Sequence, residues 1–169
     1  MSKKKILIFT DLDGSLLDKE TFKFDDVKDY LKEIISLGIV IILNSSKTES
    51  ELLDFNKQNY FDFSFISENG SSIHGLNKIH QNLPQMILIS RSKDEIQKIY
   101  DENISSGLKN KITNILDLKI EEQQKILGLP LNKITLATKR MHSIPIQFKG
   151  TEKEKNNFIK NINEIGLTA

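Results

Sequence analysis

The sequence of 169 residues predicts an α/β fold with a doubly wound, Rossmann-type parallel sheet. Two short apolar runs, at residues 6–9 and 39–43, have the length and continuous hydrophobicity of strands in such a sheet, and residues 63–66 are a third strand candidate. Apolar residues at helical spacing fill the intervals between these runs. The order strand–helix–strand–helix–strand is therefore that of a parallel sheet with helices packed on its faces.

The two helices in this half of the chain have recognisable ends. From residue 25 onward, apolar residues recur at helical spacing, and Gly38 supplies a C-terminal stop. The second helix is predicted from about residue 49 to 58, with Thr48 as its N-cap. The phenylalanines near its end, at positions 55, 61, 63 and 65, are interpreted as core residues rather than a stacking platform.

The pattern changes near Pro84, and we place a domain boundary there. Residues 1–82 are expected to form the α/β core and residues 83–169 a second α/β domain. The elements predicted in the second domain are strands at 86–89 and 144–148 and helices at 92–104, 119–127, 132–139 and 152–164.

Composition excludes several classes of protein. Lys and Arg total 24 against 23 Asp and Glu, a net charge of +1, so no overall field attracts nucleic acid or anionic lipid. Without cysteine there is no disulfide framework, thiolate metal site or cysteine nucleophile. The longest apolar run, at 37–43, is far shorter than the roughly 20 residues of a membrane helix. We expect a cytoplasmic enzyme or binding domain with neither nucleic acid nor membrane as partner.

The strongest chemical signal is the segment Phe-Thr-Asp-Leu-Asp-Gly-Ser-Leu-Leu at residues 9–17. Asp11 and Asp13 follow the first strand, at the edge where open α/β sheets bind ligands. Two crowded carboxylates repel unless they share a proton or a cation, and a hard cation such as Mg²⁺ suits oxygen ligands. The alternative is an Asx-turn that closes an ordinary strand–helix connection.

A second polar segment, Asn-Ser-Ser-Lys-Thr at residues 44–48, follows the second strand. A hydroxyl at this position, from Ser45 or Ser46, can donate to a phosphate oxygen, and the ammonium of Lys47 adds positive charge. By itself the segment is equally consistent with a plain strand-to-helix loop. Together with the two aspartates it favours a phosphate-binding site.

These segments resemble the haloacid dehalogenase-like hydrolases. Within that group, the sequence Ser-Ser-Lys-Thr at residues 45–48 resembles the mannosyl-3-phosphoglycerate phosphatase family. The resemblance implies that Asp11 attacks phosphorus and forms an aspartyl-phosphate, and that Asp13 is the general acid/base. It also implies Mg²⁺ held by the Asp11 carboxylate and the Asp13 backbone carbonyl, and Ser45 in the place of the family's second motif. The fold it implies is a core with an inserted α/β cap, each incomplete in this chain.

Two further segments are similar to the same family. Glu68 and Asn69 stand in a Glu-Asn-Gly segment that the family places near the substrate entrance, although Asn-Gly is also an ordinary hairpin turn. Arg140 matches an arginine of the family's cap and can clamp a carboxylate or phosphate with its planar fork. Ile144 stands where the family has glutamate, so the substrate contacts of the cap differ here.

The resemblance lacks the family's later motifs, a lysine and a Gly-Asp-x-x-Asn-Asp run. Three explanations stay open: a truncated reading frame, a fragment completed by a second polypeptide, or a non-catalytic relative. We expect the first strand to be an exposed sheet edge, which invites pairing. The resemblance implies a phosphorylated sugar-glycerate as substrate, in compatible-solute synthesis, and an oligomer or a complementing C-terminal fragment as partner. The alternative function is a sugar-phosphate binding or assembly module.

Overall fold

A computed structural model describes residues 6–18 and 24–168, so parts of both predicted domains (1–5, 19–23 and 169) lie outside it. The chain divides into two compact units, residues 1–90 and 91–169. The division falls later than the predicted boundary at 82, because a strand that begins at residue 86 pairs into the sheet of the first unit. No helix within the described ranges is both long enough and apolar enough to cross a bilayer.

The first unit is built on a sheet whose order follows the chain. Its described strands are β1 (Leu7–Thr10), β2 (Val40–Asn44), β3 (Ser64–Ser67), β4 (Ser72–His74) and β5 (Met86–Leu88). The first three are parallel, with Phe9 opposite Ile42 and Leu43 opposite Phe65. β3, β4 and β5 pair antiparallel. The predicted α/β class is confirmed, but the sheet is mixed because a hairpin follows the third strand.

Helices α1 (Asp25–Ser36), α2 (Glu49–Asn59) and the short α3 (Leu76–Ile79) complete the first unit. The main core forms where alternate residues of β2, Ile41 and Leu43, meet Leu31 of α1 and Leu52 of α2. Phe63 and Phe65 are buried in this cluster, with Phe55 and Phe61 packed against it, as predicted. The expected exposed edge is also confirmed, since β1 pairs only with β2 among the described strands.

Helix α2 begins in a complete capping box. The Thr48 hydroxyl oxygen accepts the amide of Glu51 at 3.2 Å, and the Glu51 carboxylate accepts the amide of Thr48 at 2.9 Å. These contacts satisfy amides that would otherwise lack partners at the helix start. They fix the backbone at residue 48, directly after the loop at residues 45–47 that contributes to the candidate site.

We expect Thr48→Ala to lower the free energy of unfolding by about 1 kcal/mol, since alanine cannot accept the Glu51 amide. Thr48→Ser keeps the oxygen and should retain most of the stability. Urea denaturation of the three proteins measures the effect; equal losses for alanine and serine would show that the methyl group, not the cap, stabilises this position.

The second unit contains a two-stranded antiparallel sheet, β6 (Ile112–Asn114) and β7 (Ile146–Phe148). Its helices are α4 (Lys93–Asn103), α5 (Ser106–Lys109), α6 (Ile120–Leu127), α7 (Leu131–Ala137) and α8 (Glu152–Glu164). Ile104, Phe158 and Ile162 form its core cluster. A hydrogen bond from Lys111 and the cap at Thr151 lower the pKa of Glu154 to about 2. The sequence pattern did not predict α5 or β6, which are too short to show a period.

Candidate active site

A tight turn follows β1 and carries both predicted catalytic aspartates. The amide of Leu17 donates to the carbonyl of Leu12 at 2.8 Å, and the amide of Gly14 donates back to the carbonyl of Leu17 at 3.0 Å. Gly14 has φ +74°, a left-handed conformation that glycine adopts without cost. Because Leu12 and Leu17 are buried in the core, the turn between them is firmly anchored.

The turn forms one wall of an open cleft of about 430 Å³. The cleft is lined by residues from the carboxyl ends of the parallel strands and from the turn after β3: Asp11, Asp13, Asn44, Ser45, Ser46 and Asn69. Five of these six had been singled out from the sequence, and they meet because parallel strands end at the same edge of the sheet.

Lys47 forms an ion pair with Asp13, one of the residues that line this cleft. Its ammonium lies 2.8 Å from Oδ2 of Asp13, and both side chains are partly buried. The other oxygen of that carboxylate, Oδ1, is buried and finds no hydrogen-bond partner among the described residues. Asp13 is therefore held by one cation, with one acceptor oxygen left to bind something else.

Ser45 is oriented by the backbone around it. Its amide donates to the carbonyl of Ile66 on the neighbouring strand at 3.0 Å, and its Oγ accepts the amide of Lys47 at 3.3 Å. With the oxygen used as an acceptor, the hydroxyl proton is available for a ligand oxygen. Ser45 is 4% exposed, so such a bond would form in a poorly hydrated place, where it is stronger.

The turn between β3 and β4 bears the Glu-Asn-Gly segment. Glu68, Asn69 and Gly70 all have positive φ, at 45°, 58° and 97°. The amide of Glu68 donates to the carbonyl of Lys47 at 2.9 Å, and that of Asn69 donates to the carbonyl of Ser45 at 3.2 Å. These bonds join the turn to the loop after β2 and place Asn69 in the cleft. The Glu68 side chain is buried, so it belongs to the frame of the turn rather than to the cleft surface.

The donor set at Asp11 and Asp13 suits Mg²⁺ in chemistry. Oδ1 of Asp11 accepts the amide of Leu12 at 2.7 Å, which orients the carboxylate, and Oδ1 of Asp13 is an unsatisfied buried oxygen. No cluster of three or more acidic or histidine side chains that could hold a metal occurs in the part of the chain that the structure describes. The Asp11 carboxylate and the Asp13 backbone carbonyl remain sufficient as protein ligands, because Mg²⁺ commonly binds one or two carboxylates together with water and phosphate oxygens. The Asp13 carboxylate is then left for proton transfer.

Arg140 belongs to the second unit. Its guanidinium donates to the hydroxyl of Ser143 at 2.9 Å, just after helix α7. The hydrogen bond orients one side of the planar fork within that unit. Its predicted contact with substrate stays a prediction.

Two features of the cleft were missed by the sequence reasoning. Asn44 was quoted within its motif but received no role, although its place as the last residue of a strand at the ligand edge was a usable signal. The ion pair of Lys47 with Asp13 links residues 34 positions apart, and nothing local in either segment indicates it.

Comparison with known proteins gives a consistent result. A family model described as haloacid dehalogenase-like hydrolase matches residues 8–166. A glucosyl-3-phosphoglycerate/mannosyl-3-phosphoglycerate phosphatase from Persephonella marina is 32% identical over 95% of this chain and 60% of that protein. A mannosyl-3-phosphoglycerate phosphatase from Pyrococcus horikoshii is 32% identical over 81% of this chain and 58% of that protein.

Solved structures show the same fold. A phosphatase of the haloalkanoate enzyme superfamily from Bacteroides thetaiotaomicron superposes with a TM-score of 0.61 at 17% identity, over 94% of this chain and 61% of that one. A protein from Thermotoga maritima gives a TM-score of 0.53 at 17% identity, over 95% and 62%. The chain thus spans about three fifths of the length of the curated relatives it matches.

Proposed function

The chain belongs to the haloacid dehalogenase-like hydrolase family, and from that premise we propose that it is a Mg²⁺-dependent phosphatase of a phosphorylated sugar-glycerate. Mannosyl-3-phosphoglycerate or glucosyl-3-phosphoglycerate is the proposed substrate, and the names of the relatives support it. The observation that carries the proposal is the convergence of Asp11, Asp13, Ser45 and Asn69 on one cleft. We propose that the reaction occurs in the cytoplasm and yields a compatible solute.

The proposed mechanism has two displacements at phosphorus. A carboxylate oxygen of Asp11 forms a bond to phosphorus while the bond to the glycerate oxygen breaks, and Asp13 gives its proton to that oxygen. The carboxylate of Asp13 then takes a proton from water as the water oxygen attacks the aspartyl-phosphate. Inorganic phosphate leaves, and both aspartates return to their starting states.

The metal fits the same residues. The Asp11 carboxylate and the Asp13 backbone carbonyl would hold Mg²⁺, which when bound neutralises negative charge on the transferring phosphoryl group. Around the phosphoryl group, the hydroxyls of Ser45 and Ser46 and the amide side chain of Asn69 donate hydrogen bonds. Lys47 adds positive charge, and Glu68 holds the turn that bears Asn69.

In the second unit, Arg140 is proposed to bind a charged group of the substrate. A guanidinium suits the carboxylate of a glycerate because it can form two parallel hydrogen bonds. This assignment rests on the sequence motif and on the chemistry of the side chain.

The metal requirement gives the first test of the function. With Mg²⁺ present, the purified protein should release phosphate from mannosyl- or glucosyl-3-phosphoglycerate. EDTA should reduce the release to background, and added Mg²⁺ should restore it. Release that persists in excess EDTA would contradict the proposed Mg²⁺ requirement.

A second candidate is a sugar-phosphate binding or assembly module without turnover. One observation favours assembly: the apolar residues 6–9 of the first strand are exposed, with Ile6 and Phe9 each at 59%. This candidate predicts that calorimetry detects binding of the phosphorylated sugar-glycerate while no phosphate appears. It also predicts that Asp13→Asn leaves the binding unchanged.

The partner proposal starts from the open edge of β1. Residues 6–9 are apolar and exposed, with Ile6 and Phe9 each at 59%, whereas strands in parallel sheets are ordinarily covered on both faces. We propose that a further strand pairs here, supplied by polypeptide corresponding to the part of the relatives that this chain does not span. Self-association of the purified chain, measured by sedimentation and abolished by Ile8→Lys, would instead identify an oligomer.

A further inference from the structure

A buried polar chain runs through the β3–β4 hairpin, outside the cleft. Oγ of Ser67 lies 2.7 Å from Oγ of Ser72, and Oγ of Ser72 lies 2.8 Å from Nε2 of His74. Ser67 and Ser72 are 1% and 2% exposed, and His74 is 8% exposed. Burying three polar side chains in a sheet is costly unless they bond to one another, as they do here.

The far end of this chain is a carboxylate. Oε1 of Glu49, in the first turn of α2, lies 3.4 Å from Nδ1 of His74. The His74 ring also stacks on Phe65, with centroids 4.6 Å apart, so its orientation is fixed. A carboxylate facing Nδ1 favours the tautomer with its proton there, which leaves Nε2 to accept the hydroxyl proton of Ser72. Ser72 can then accept the hydroxyl proton of Ser67, and the hydrogen bonds run in one direction.

The near end of the chain reaches the turn of the candidate site. Ser67 is opposite Ser72 in the hairpin register, and its carbonyl accepts the amides of Gly70 at 3.1 Å and Ser71 at 3.0 Å. Glu68 and Asn69 lie between Ser67 and Gly70, and both adopt the left-handed backbone conformation although neither is glycine. Such backbone is unfavourable for residues other than glycine and persists only where the surroundings impose it.

We propose that His74 is a positioning residue for Asn69. The chain from Glu49 through His74 and Ser72 to Ser67 locks the hairpin at the point where it turns, and thereby holds Asn69 against the Ser45 loop. This inference rests on the proposed function only for the statement that Asn69 binds substrate. The statement that the buried side chains hold the hairpin turn in place does not depend on any substrate, and amide hydrogen exchange tests it separately.

The test compares two buried hydroxyls of the same hairpin. Ser72→Ala breaks the polar chain, whereas Ser64→Ala removes a buried hydroxyl that donates to the carbonyl of Gly75 at 2.8 Å, away from the turn. Amide hydrogen exchange, followed by NMR, should show the amides of Glu68 and Asn69 exchanging about tenfold faster in Ser72→Ala. That factor corresponds to about 1.4 kcal/mol, within the range for one buried hydrogen bond. In Ser64→Ala the exchange rates of these two amides, measured relative to the amide of Leu43 as an internal reference, should equal those of the unsubstituted protein.

A second pair of variants addresses His74 through Glu49, whose side chain is 48% exposed and tolerates substitution. Glu49→Gln keeps a carbonyl oxygen that can accept the Nδ1 proton and should retain the slow exchange. Glu49→Met cannot accept it and should accelerate exchange at Glu68 and Asn69 about threefold. Equal rates for these two variants, or equal acceleration by Ser72→Ala and Ser64→Ala, would overturn the positioning role.

Binding of inorganic phosphate, measured by calorimetry with Mg²⁺, tests whether the buried polar chain affects the candidate active site. Ser72→Ala should weaken phosphate binding about tenfold, and Ser64→Ala should not. If Ser72→Ala exchanges the amides of Glu68 and Asn69 faster but binds phosphate with unchanged affinity, the role of the polar chain in substrate binding is overturned. Its role in holding the turn is then still supported. If the native protein binds no phosphate, the proposed function fails, and the exchange data still decide whether the polar chain holds the turn.

Discussion

Asp11→Asn is expected to abolish phosphate release, lowering turnover by more than about 10⁴-fold, the range seen when a nucleophile of covalent catalysis is removed. An amide oxygen carries no full negative charge and does not attack phosphorus as a carboxylate does. The substitution is nearly isosteric. In the unsubstituted protein the amide of Leu12 donates to Oδ1 of Asp11 at 2.7 Å, and Oδ1 of asparagine can accept the same hydrogen bond. The turn after β1 should therefore keep its shape.

A matched variant separates chemistry from folding. Asp62→Asn alters an exposed aspartate that precedes β3, at the end of that strand opposite the cleft, where it pairs with Lys78. Initial rates with Mg²⁺ should be unchanged in Asp62→Asn and at background in Asp11→Asn, while thermal unfolding is similar in both. Residual turnover of one tenth or more in Asp11→Asn would exclude this residue as the nucleophile.

Lys47→Met is expected to lower kcat/KM by roughly 10²-fold. The methionine side chain has a similar length but leaves Oδ2 of Asp13 without its cation, next to an Oδ1 that already finds no partner among the described residues. Loss of a charge-assisted hydrogen bond costs about 1.5–3 kcal/mol, which corresponds to roughly ten- to 150-fold in rate. Partial exposure of both side chains keeps the effect from being larger.

Two further proteins test this interpretation. Lys47→Arg keeps the positive charge and should retain at least one tenth of the activity. Adding Lys47→Met to Asp13→Asn should cost little more than Asp13→Asn alone, because residues that act as a unit have non-additive effects. Fully additive losses would show that Lys47 acts independently of Asp13, for example only on substrate.

The sequence was informative where one segment carries both the structural and the chemical signal. The apolar run before Asp11 predicts a buried-type strand, and the end of that strand predicts where the aspartates meet other polar residues. The same logic indicated Ser45 at the end of the second strand, whereas Asn69 was indicated by the resemblance of its Glu-Asn-Gly segment to the family. Thr48 was predicted as a cap from its position alone, and the structure confirms it with a full capping box.

The features that escaped prediction depend on contacts between distant segments. The ammonium of Lys47 meets Asp13 only because β1 and β2 lie side by side in the sheet, a distance in sequence that no local pattern spans. Ser72 and His74 alternate as in any half-buried strand, and their connection to Glu49 appears only when α2 packs beside the hairpin. The strand that contains Met86 was assigned to the second domain because its apolar run does not specify a pairing partner.

The most direct test of the proposed mechanism is to identify the residue that becomes phosphorylated. The protein is mixed with mannosyl-3-phosphoglycerate and Mg²⁺, quenched during turnover and treated with borohydride, which reduces an aspartyl-phosphate to homoserine. Mass spectrometry of the peptide that contains both Asp11 and Asp13 then locates the change. We predict homoserine at position 11 and intact aspartate at position 13, dependent on Mg²⁺. Homoserine at 13, or phosphate release with both aspartates unmodified, would contradict it.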